Sequence, residues 1–268
     1  MVRVFLMQAG IKRNIVKALS VAVLGLGLTA CASMPDRNDQ VAVAQYEQAN
    51  DPFEPANRAI FGFNQAIDGA VLRPAAEAYR SLLPDEVRGG IRNFINNLGS
   101  PLIFANDILQ FDLGRASTTF VRFVLNSTIG IAGLMDPATD MGFERHEEDL
   151  GQTLGVWGFG EGPFLMAPFL GPMPLRDAIG FGVQTYFNPV NLYLDRIGED
   201  WAMYALFAVD AVDARSRNIE TFDEIERTAI DLYATVRTGY RQARNNAIRN
   251  GATDPNAGNS AEDFDFDF

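Results

Sequence analysis

The chain has 268 residues, a net charge of −12, 47% hydrophobic side chains, one cysteine and one histidine. The acidic balance excludes an ordinary nucleic-acid-binding surface, which needs clustered positive charge against phosphate, and a lone cysteine excludes an intrachain disulfide. The length beyond a leader suffices for one sizeable domain or two small ones.

Residues 1–30 read as an export signal. Arg3, Lys12, Arg13 and Lys17 form a positive n-region, no acidic residue precedes Asp36, and an apolar stretch follows from Ala18 to Thr29. Met7 serves as a start as well as Met1 does. The stretch is too short and too glycine-rich for a membrane span. It closes on Leu28-Thr29-Ala30-Cys31, the pattern of a lipobox, where the signal is cut before a cysteine carrying diacylglycerol. The plain alternative for a single cysteine is a small buried hydrophobe. Its place behind an h-region and small residues makes Cys31 the lipid-attachment residue. Each buried methylene contributes about 0.8 kcal/mol, so one acyl chain holds weakly and two or three hold durably. Ala32, where an aspartate is absent, matches by analogy the lipoproteins sorted to the outer membrane. Removal of 1–30 takes away four positive charges and no negative ones, and leaves arginine as the strong base.

Residues 31–50 are polar and read as a lipidated tether. The ordered body, 51–250, is predicted to start at Asp51-Pro-Phe-Glu54, with Asp51 as N-cap, Pro52 in the first turn and Glu54 reaching back. The same punctuation at Ser100-Pro101, Asp136-Pro137 and Pro84-Asp85-Glu86 predicts further helix starts. No alternating runs argue for a large sheet, so the predicted fold is mainly α. The first helix, about 52–72, carries Phe53, Ala56, Ile60, Phe63, Ile67 and Ala70 on one face, yet much of the rest is apolar too. What stays polar is a row through Asn57, Asn64 and Asp68. Between Pro101 and Phe111 the polar residues are Asn106, Asp107 and Gln110, on one side. Residues 114–135 align Arg115, Thr118, Arg122 and Asn126 among Phe120, Val121, Phe123, Val124 and Leu125. These are polar stripes on apolar cylinders, the inverse of an ordinary surface helix. A central helix in a water-soluble bundle is one explanation. The sharper one is an outer face meeting lipid, with the polar rows turned inward.

Leu150–Leu194 holds only Glu161, Arg176 and Asp177 as charged residues, and is broken by Gly158, Gly160, Gly162, Pro163, Pro168, Gly171, Pro172, Pro174 and Pro189. Free backbone groups in hydrocarbon cost several kcal/mol each, so this stretch belongs at an interface or against protein. Residues 120–135 reach only about 24 Å and include Arg122; no segment after the signal is a good membrane span. From Asp195 charges return. Phe222, Ile225, Ala229, Leu232, Val236 and Tyr240 trace a single-sided helix, and 199–249 reads as one or two solvated helices. Residues 251–268, ending Asp263-Phe-Asp-Phe-Asp-Phe268, read as a disordered acidic tail; a docking peptide is the alternative.

The run Asp51-Pro-Phe-Glu-Pro-Ala-Asn-Arg58 with Phe61-Gly-Phe-Asn64 resembles the opening of the MlaA (VacJ) phospholipid-transport lipoproteins. So do Leu72-Arg-Pro74, Asn93-Phe-Ile-Asn-Asn-Leu98 with Pro101, Arg122-Phe-Val-Leu-Asn126 with Gly130, and Leu150-Gly-Gln-Thr-Leu-Gly155. The last blocks are Trp157-Gly-Phe-Gly-Glu-Gly-Pro163, Pro168-Phe169 and Leu175-Arg-Asp177. The resemblance covers about 45–240. It implies a ring-like bundle of amphipathic helices in the inner leaflet of the outer membrane, on the periplasmic side, around a central amphipathic channel. It also implies removal of mislocalised phospholipid from the outer leaflet. The partners implied are a trimeric porin and a periplasmic lipid carrier linked to an inner-membrane ABC transporter. The Phe-Asp tail and the proline-rich 163–174 depart from the family pattern.

An enzyme finds little support in the residues. His146, in Glu144-Arg-His-Glu-Glu-Asp149, lacks further metal ligands and reads as part of a solvated loop. No Gly-x-Ser-x-Gly elbow is present, and Gly158-Phe-Gly-Glu-Gly162 lacks the Lys-Ser/Thr of a phosphate-binding loop. Asn64, Asp68, Arg115, Arg122 and Asn126 are the candidate channel-lining residues, an arginine there being able to meet a headgroup phosphate bidentately. The structural alternative pairs Asp68 or Asp107 with Arg115 or Arg122 inside the bundle. Phe61, Gly62 and Phe63 form a candidate flexible segment, because glycine weakens a helix by about 1 kcal/mol relative to alanine. No cofactor, metal or catalytic residue is predicted. A lipid conduit leads; a structural lipoprotein bracing porins and a membrane-bound lipid hydrolase are the alternatives.

Overall fold

A computed structural model of the chain describes residues 49–251. The signal, Cys31, most of the tether and the acidic tail beyond Gly251 lie outside the described residues. Within them the chain is mainly helical, with one two-stranded hairpin.

The first helix, α1, spans Glu54–Ile67, later than Asp51 would start it, and no side chain caps it. Asp51 is instead buried, accepting from Asn57 Nδ2 at 2.7 Å and Arg237 Nη1 at 2.8 Å, and from the Tyr233 hydroxyl. A carboxylate drawn into that ionic cluster cannot also serve the helix N-terminus. Beyond Ile67 the chain does not end at residue 72. A π-helical turn, Asp68–Leu72, carries it into α2, Arg73–Leu82. Pro74 has no N–H, and its ring crowds the carbonyl four residues back; widening the preceding turn relieves that clash without breaking the helix.

The longest helix, α3, runs Asp85–Leu109 from Pro84, with Asp85 and Glu86 favourably placed in its first turn. The start predicted at Ser100-Pro101 is not there: Pro101 lies inside α3. Packing of α3 along its neighbour α4, Leu113–Thr128, outweighs the roughly 3 kcal/mol that an interior proline costs. Asp112 caps α4 through the Arg115 amide at 3.0 Å. The helix predicted to continue to 135 stops at Thr128, because Ile131, Ala132 and Gly133 turn left-handed at φ of 53°, 56° and 91°. A side chain at Gly133 would come within 2.6 Å of Asn97 Cβ, so glycine lets this turn close on α3.

Asp136-Pro137 does start a helix, the short α5, Pro137–Asp140. Next come α6, Leu150–Val156, capped by Asp149, and β1, Met166–Ala167, paired antiparallel with β2, Gly171–Pro172. Then follow α7, Leu175–Phe187, α8, Pro189–Ile197, and α9, Asp200–Arg217. The expected one or two helices over 199–249 are three. The pattern from Phe222 to Tyr240 is divided between α10, Ile219–Thr228, and α11, Leu232–Ile248. The break comes where Ala229 turns extended and Asp231 caps the next helix through the Ala234 amide at 3.1 Å.

Neighbour packing closes a circuit. Helix α1 runs into α2, which packs on α9; α9 packs on α3, α3 on α6, α6 on α11, α11 on β2, and β1 returns to α1. Among the described residues sixteen polar or charged side chains are buried against eight apolar ones, Pro174 included, the reverse of a water-soluble core. The apolar core is small: Phe164, Met166 and Tyr233, flanked by Ile60, Phe61 and Tyr240. Large apolar side chains stand outside instead, among them Phe111, Phe120, Phe159, Phe187, Trp201 and Tyr204. No helix is long and apolar enough to cross a membrane among the described residues.

Candidate functional site

Four polar side chains of α3, Asn93, Asn96, Asn97 and Ser100, follow helical spacing and so share a face. They meet the polar row of α4, formed by Thr119, Arg122 and Asn126. Asp136, Arg145 and His146 complete an open pocket, in which Ile103 supplies the apolar wall. Phe120 and Val124 of α4 point to the outside, so one helix divides a polar pocket from an apolar surface.

Arg122 anchors one wall. Its Nη2 donates to Asp136 Oδ2 at 2.7 Å, and its Nη1 donates to Thr139 Oγ1 at 2.9 Å and to the Phe143 carbonyl. Asn126 donates to Asp136 Oδ1 at 2.8 Å and accepts from the Ala138 amide at 3.2 Å. Burial works against the Asp136 carboxylate, but Thr139, Arg122 and Asn126 together hold it below the usual range.

Behind Thr119 and His146 of the lining stands Asp107, which is buried. It accepts from Thr119 Oγ1 at 2.7 Å and faces His146 Nε2 at 3.0 and 3.1 Å. His146 is thus held inside the fold, not on the solvated loop its neighbours implied, because the Asp107 carboxylate and Thr119 Oγ1, the latter at 3.1 Å, both stand at its Nε2. Next to this pair, Glu148 accepts from Arg115 Nη2 at 2.8 Å and from Gln110 Nε2 at 2.7 Å. Burial pushes the Glu148 carboxyl up. The chain of bonds continues from Gln110 to Thr153 and from Thr153 to Asn106, tying α3 to α6.

The structure therefore brings Arg122 and Asn126 to the pocket, and places Asn64, Asp68 and Arg115 elsewhere. Asn64 clasps the hairpin, donating to the Ala167 carbonyl at 3.0 Å and accepting from the Phe169 amide at 2.9 Å. Asp68 accepts from Arg215 at 2.8 and 3.1 Å. Neither Asp68 nor Asp107 pairs with Arg115 or Arg122; those arginines take Glu148 and Asp136. Phe61, Gly62 and Phe63 lie within α1, and a side chain at Gly62 would meet nothing within 4 Å. Sequence reading missed the α3 side of the pocket, although Asn93, Asn96, Asn97 and Ser100 have the spacing that marks a helical stripe. Reading Ser100-Pro101 as a helix start cut that stripe in two.

Among the described residues no grouping of His, Cys, Asp and Glu is arranged to hold a metal ion. The site offers amides, guanidinium groups and an imidazole, which suits reversible binding of a polar group.

The sequence profile of the MlaA lipoprotein family matches residues 49–247. The chain belongs to this family. An MlaA protein of Escherichia coli K12, named an intermembrane phospholipid transport system lipoprotein, is 33% identical over 241 residues, 87% of this chain and 90% of that protein. The MlaA of Haemophilus influenzae, similarly named, is 31% identical over 228 residues, 84% and 87% of the two chains. A chain solved in work on the structural basis for maintenance of bacterial outer membrane lipid asymmetry superposes with a TM-score of 0.67. It is 34% identical, and the match covers 74% of this chain and 98% of that one. Asn50 Nδ2 donates to the Gly162 carbonyl at 2.6 Å, tying the start of the matched region to the loop before the hairpin.

Proposed function

We propose that the chain removes mislocalised phospholipid from the outer leaflet of the outer membrane and passes it to a periplasmic carrier, preserving lipid asymmetry. The observation that carries this reading is the inverted distribution of side chains: charged and amide groups buried, large apolar and aromatic groups exposed. An apolar outside suits acyl chains and a polar interior suits a headgroup. The names borne by the E. coli and H. influenzae relatives support it.

In this reading residues 1–30 direct export, and Cys31 carries the lipid that holds the protein on the periplasmic side of the outer membrane. The helices lie in one leaflet around a central amphipathic passage. Arg122 and Asn126 line the polar path, while Asn64, Asp68 and Arg115 fix the hairpin and helices that frame it. Phe61, Gly62 and Phe63 let α1 adjust. A trimeric porin seats the protein, and the carrier hands lipid to an inner-membrane ABC transporter. The phospholipid moves intact, so no bond breaks and no catalytic residue, metal or cofactor takes part.

The test is outer-leaflet phospholipid exposure in a deletion strain. The wild-type gene restores asymmetry, and Cys31→Ala restores it poorly because the anchor is lost. Failure of the wild-type gene to restore it defeats the proposal. Lysophospholipid formed on incubation with the purified protein would assign it to hydrolysis instead.

A further inference from the structure

The polar pocket between α3 and α4 has unspent hydrogen-bond donors. The Asp136 carboxylate is committed to Arg122, Asn126 and Thr139, and Arg122 to Asp136, Thr139 and the Phe143 carbonyl. Arg145 differs. It is more than a third exposed, and its contacts run through Nη2 alone, to Asn96 Oδ1 at 2.9 Å and to the exposed Glu147. A guanidinium carries five donors; both hydrogens of Nη2 are taken, and Nε and Nη1 each remain open to a single hydrogen bond from a ligand. The bond from Arg145 also fixes the Asn96 amide, whose Nδ2 has no partner among the described residues.

His146 lines the same pocket. Its Nε2 faces the Asp107 carboxylate, which only accepts, so Nε2 carries the hydrogen. Nδ1 is then the free ring nitrogen. Single guanidinium donors from Nε and Nη1, beside the Asn96 amide Nδ2, suit the oxygens of an oxyanion.

We infer that this pocket binds a phosphate group through Arg145 and Asn96, with His146 alongside. On the proposed function, on which this identification of the ligand rests, the group is the phosphodiester of a phospholipid headgroup. The outward Phe120 and Val124 on α4 then lie where acyl chains follow.

The full mature lipoprotein in detergent is titrated calorimetrically with dihexanoyl-phosphatidylglycerol, dihexanoylglycerol and inorganic phosphate. The phospholipid binds, and the glycerolipid without phosphate binds about tenfold more weakly or less, the scale of a lost charge-assisted bond. Arg145→Gln weakens phospholipid binding about tenfold, Arg145→Lys less, and Asn96→Leu several-fold, with helical content and unfolding midpoint as in the wild type. Unchanged affinity in folded Arg145→Gln, or equal binding of the phosphate-free lipid, overturns the inference. Inorganic phosphate binding as tightly as the phospholipid would overturn the headgroup assignment and leave a free-phosphate site. Wild-type uptake of vesicle lipid that persists in Arg145→Gln defeats the pocket alone; no uptake by the wild type defeats the proposed function.

Discussion

Arg122→Met leaves the Asp136 carboxylate without its cation and empties the bonds to Thr139 and Phe143. The arginine side chain is only 9% exposed and Asp136 24%, so water compensates little. Removing one member of a buried pair costs several kcal/mol, and with Asn126 and Thr139 still bound to Asp136 the expected loss is about 3 kcal/mol. Chemical denaturation of the detergent-solubilised protein measures it. A double-mutant cycle with Asp136→Asn separates the pair from the remaining contacts, and a coupling near zero would show that Arg122 acts only by filling space. Asparagine at 126 had the same inward spacing in the sequence, and its bonds to Asp136 and Ala138 explain why an amide, with donor and acceptor, stands there.

At the scale of elements, the hairpin β1–β2 depends on a helix distant in sequence. It is two residues long on each strand, too short to stand alone. Asn57 accepts from the Met166 amide at 2.9 Å and donates to the Phe164 carbonyl at 3.0 Å. Two turns further, Asn64 takes Ala167 and Phe169. The polar row on α1, Asn57 to Asn64, thus acts as a side-chain strand for the hairpin backbone. Asn64→Leu is expected to accelerate amide exchange at Phe169 at least tenfold while α1 stays protected, since about 1–3 kcal/mol of unsatisfied backbone follows from the loss. Equal protection in the variant would mean that Asn57 alone holds the hairpin.

Over the whole molecule, charge pairs take the place of an apolar core, which gives stability an acid limit. The Arg58 guanidinium holds the Asp231 carboxyl at about 2, and Arg80 holds Glu220 at about 2. Asp149, which burial alone would raise, is kept low by Arg244. Carboxyls depressed below their unfolded values stabilise the fold at neutral pH, and that contribution fades as pH falls from about 4 towards about 2. Glu148 and Asp210 are raised by burial; their protonation acts in the opposite sense, favouring the fold as pH falls through their folded values. The thermal midpoint is therefore expected to fall most steeply below about pH 4. A midpoint flat from pH 5 to pH 2 would show these pairs to be idle. The exposed apolar surface has its own probe in the two tryptophans. Trp157 and Trp201 are 49% and 66% exposed, so vesicles of brominated phospholipid should quench both. Quenching of neither would place these faces in water.

The residues by themselves determined that the body is helical, that its helices carry polar stripes on apolar surfaces, and that Asp136-Pro137 and Pro84-Asp85 start helices. Such signals are local: an N-cap, a proline or a 3.6-residue period acts within one or two turns. Partnership was not legible. Asp68 meets Arg215 across 147 residues, and spacing along the chain holds no record of which helix packs against which. The same reason hid Asp51's burial among Tyr233 and Arg237, the passage of α3 through Pro101, and the seating of His146 on Asp107. In each, a contact from a distant element outweighed the local preference. Only the folded circuit of helices decided where the polar stripes meet, and so where an anion can bind.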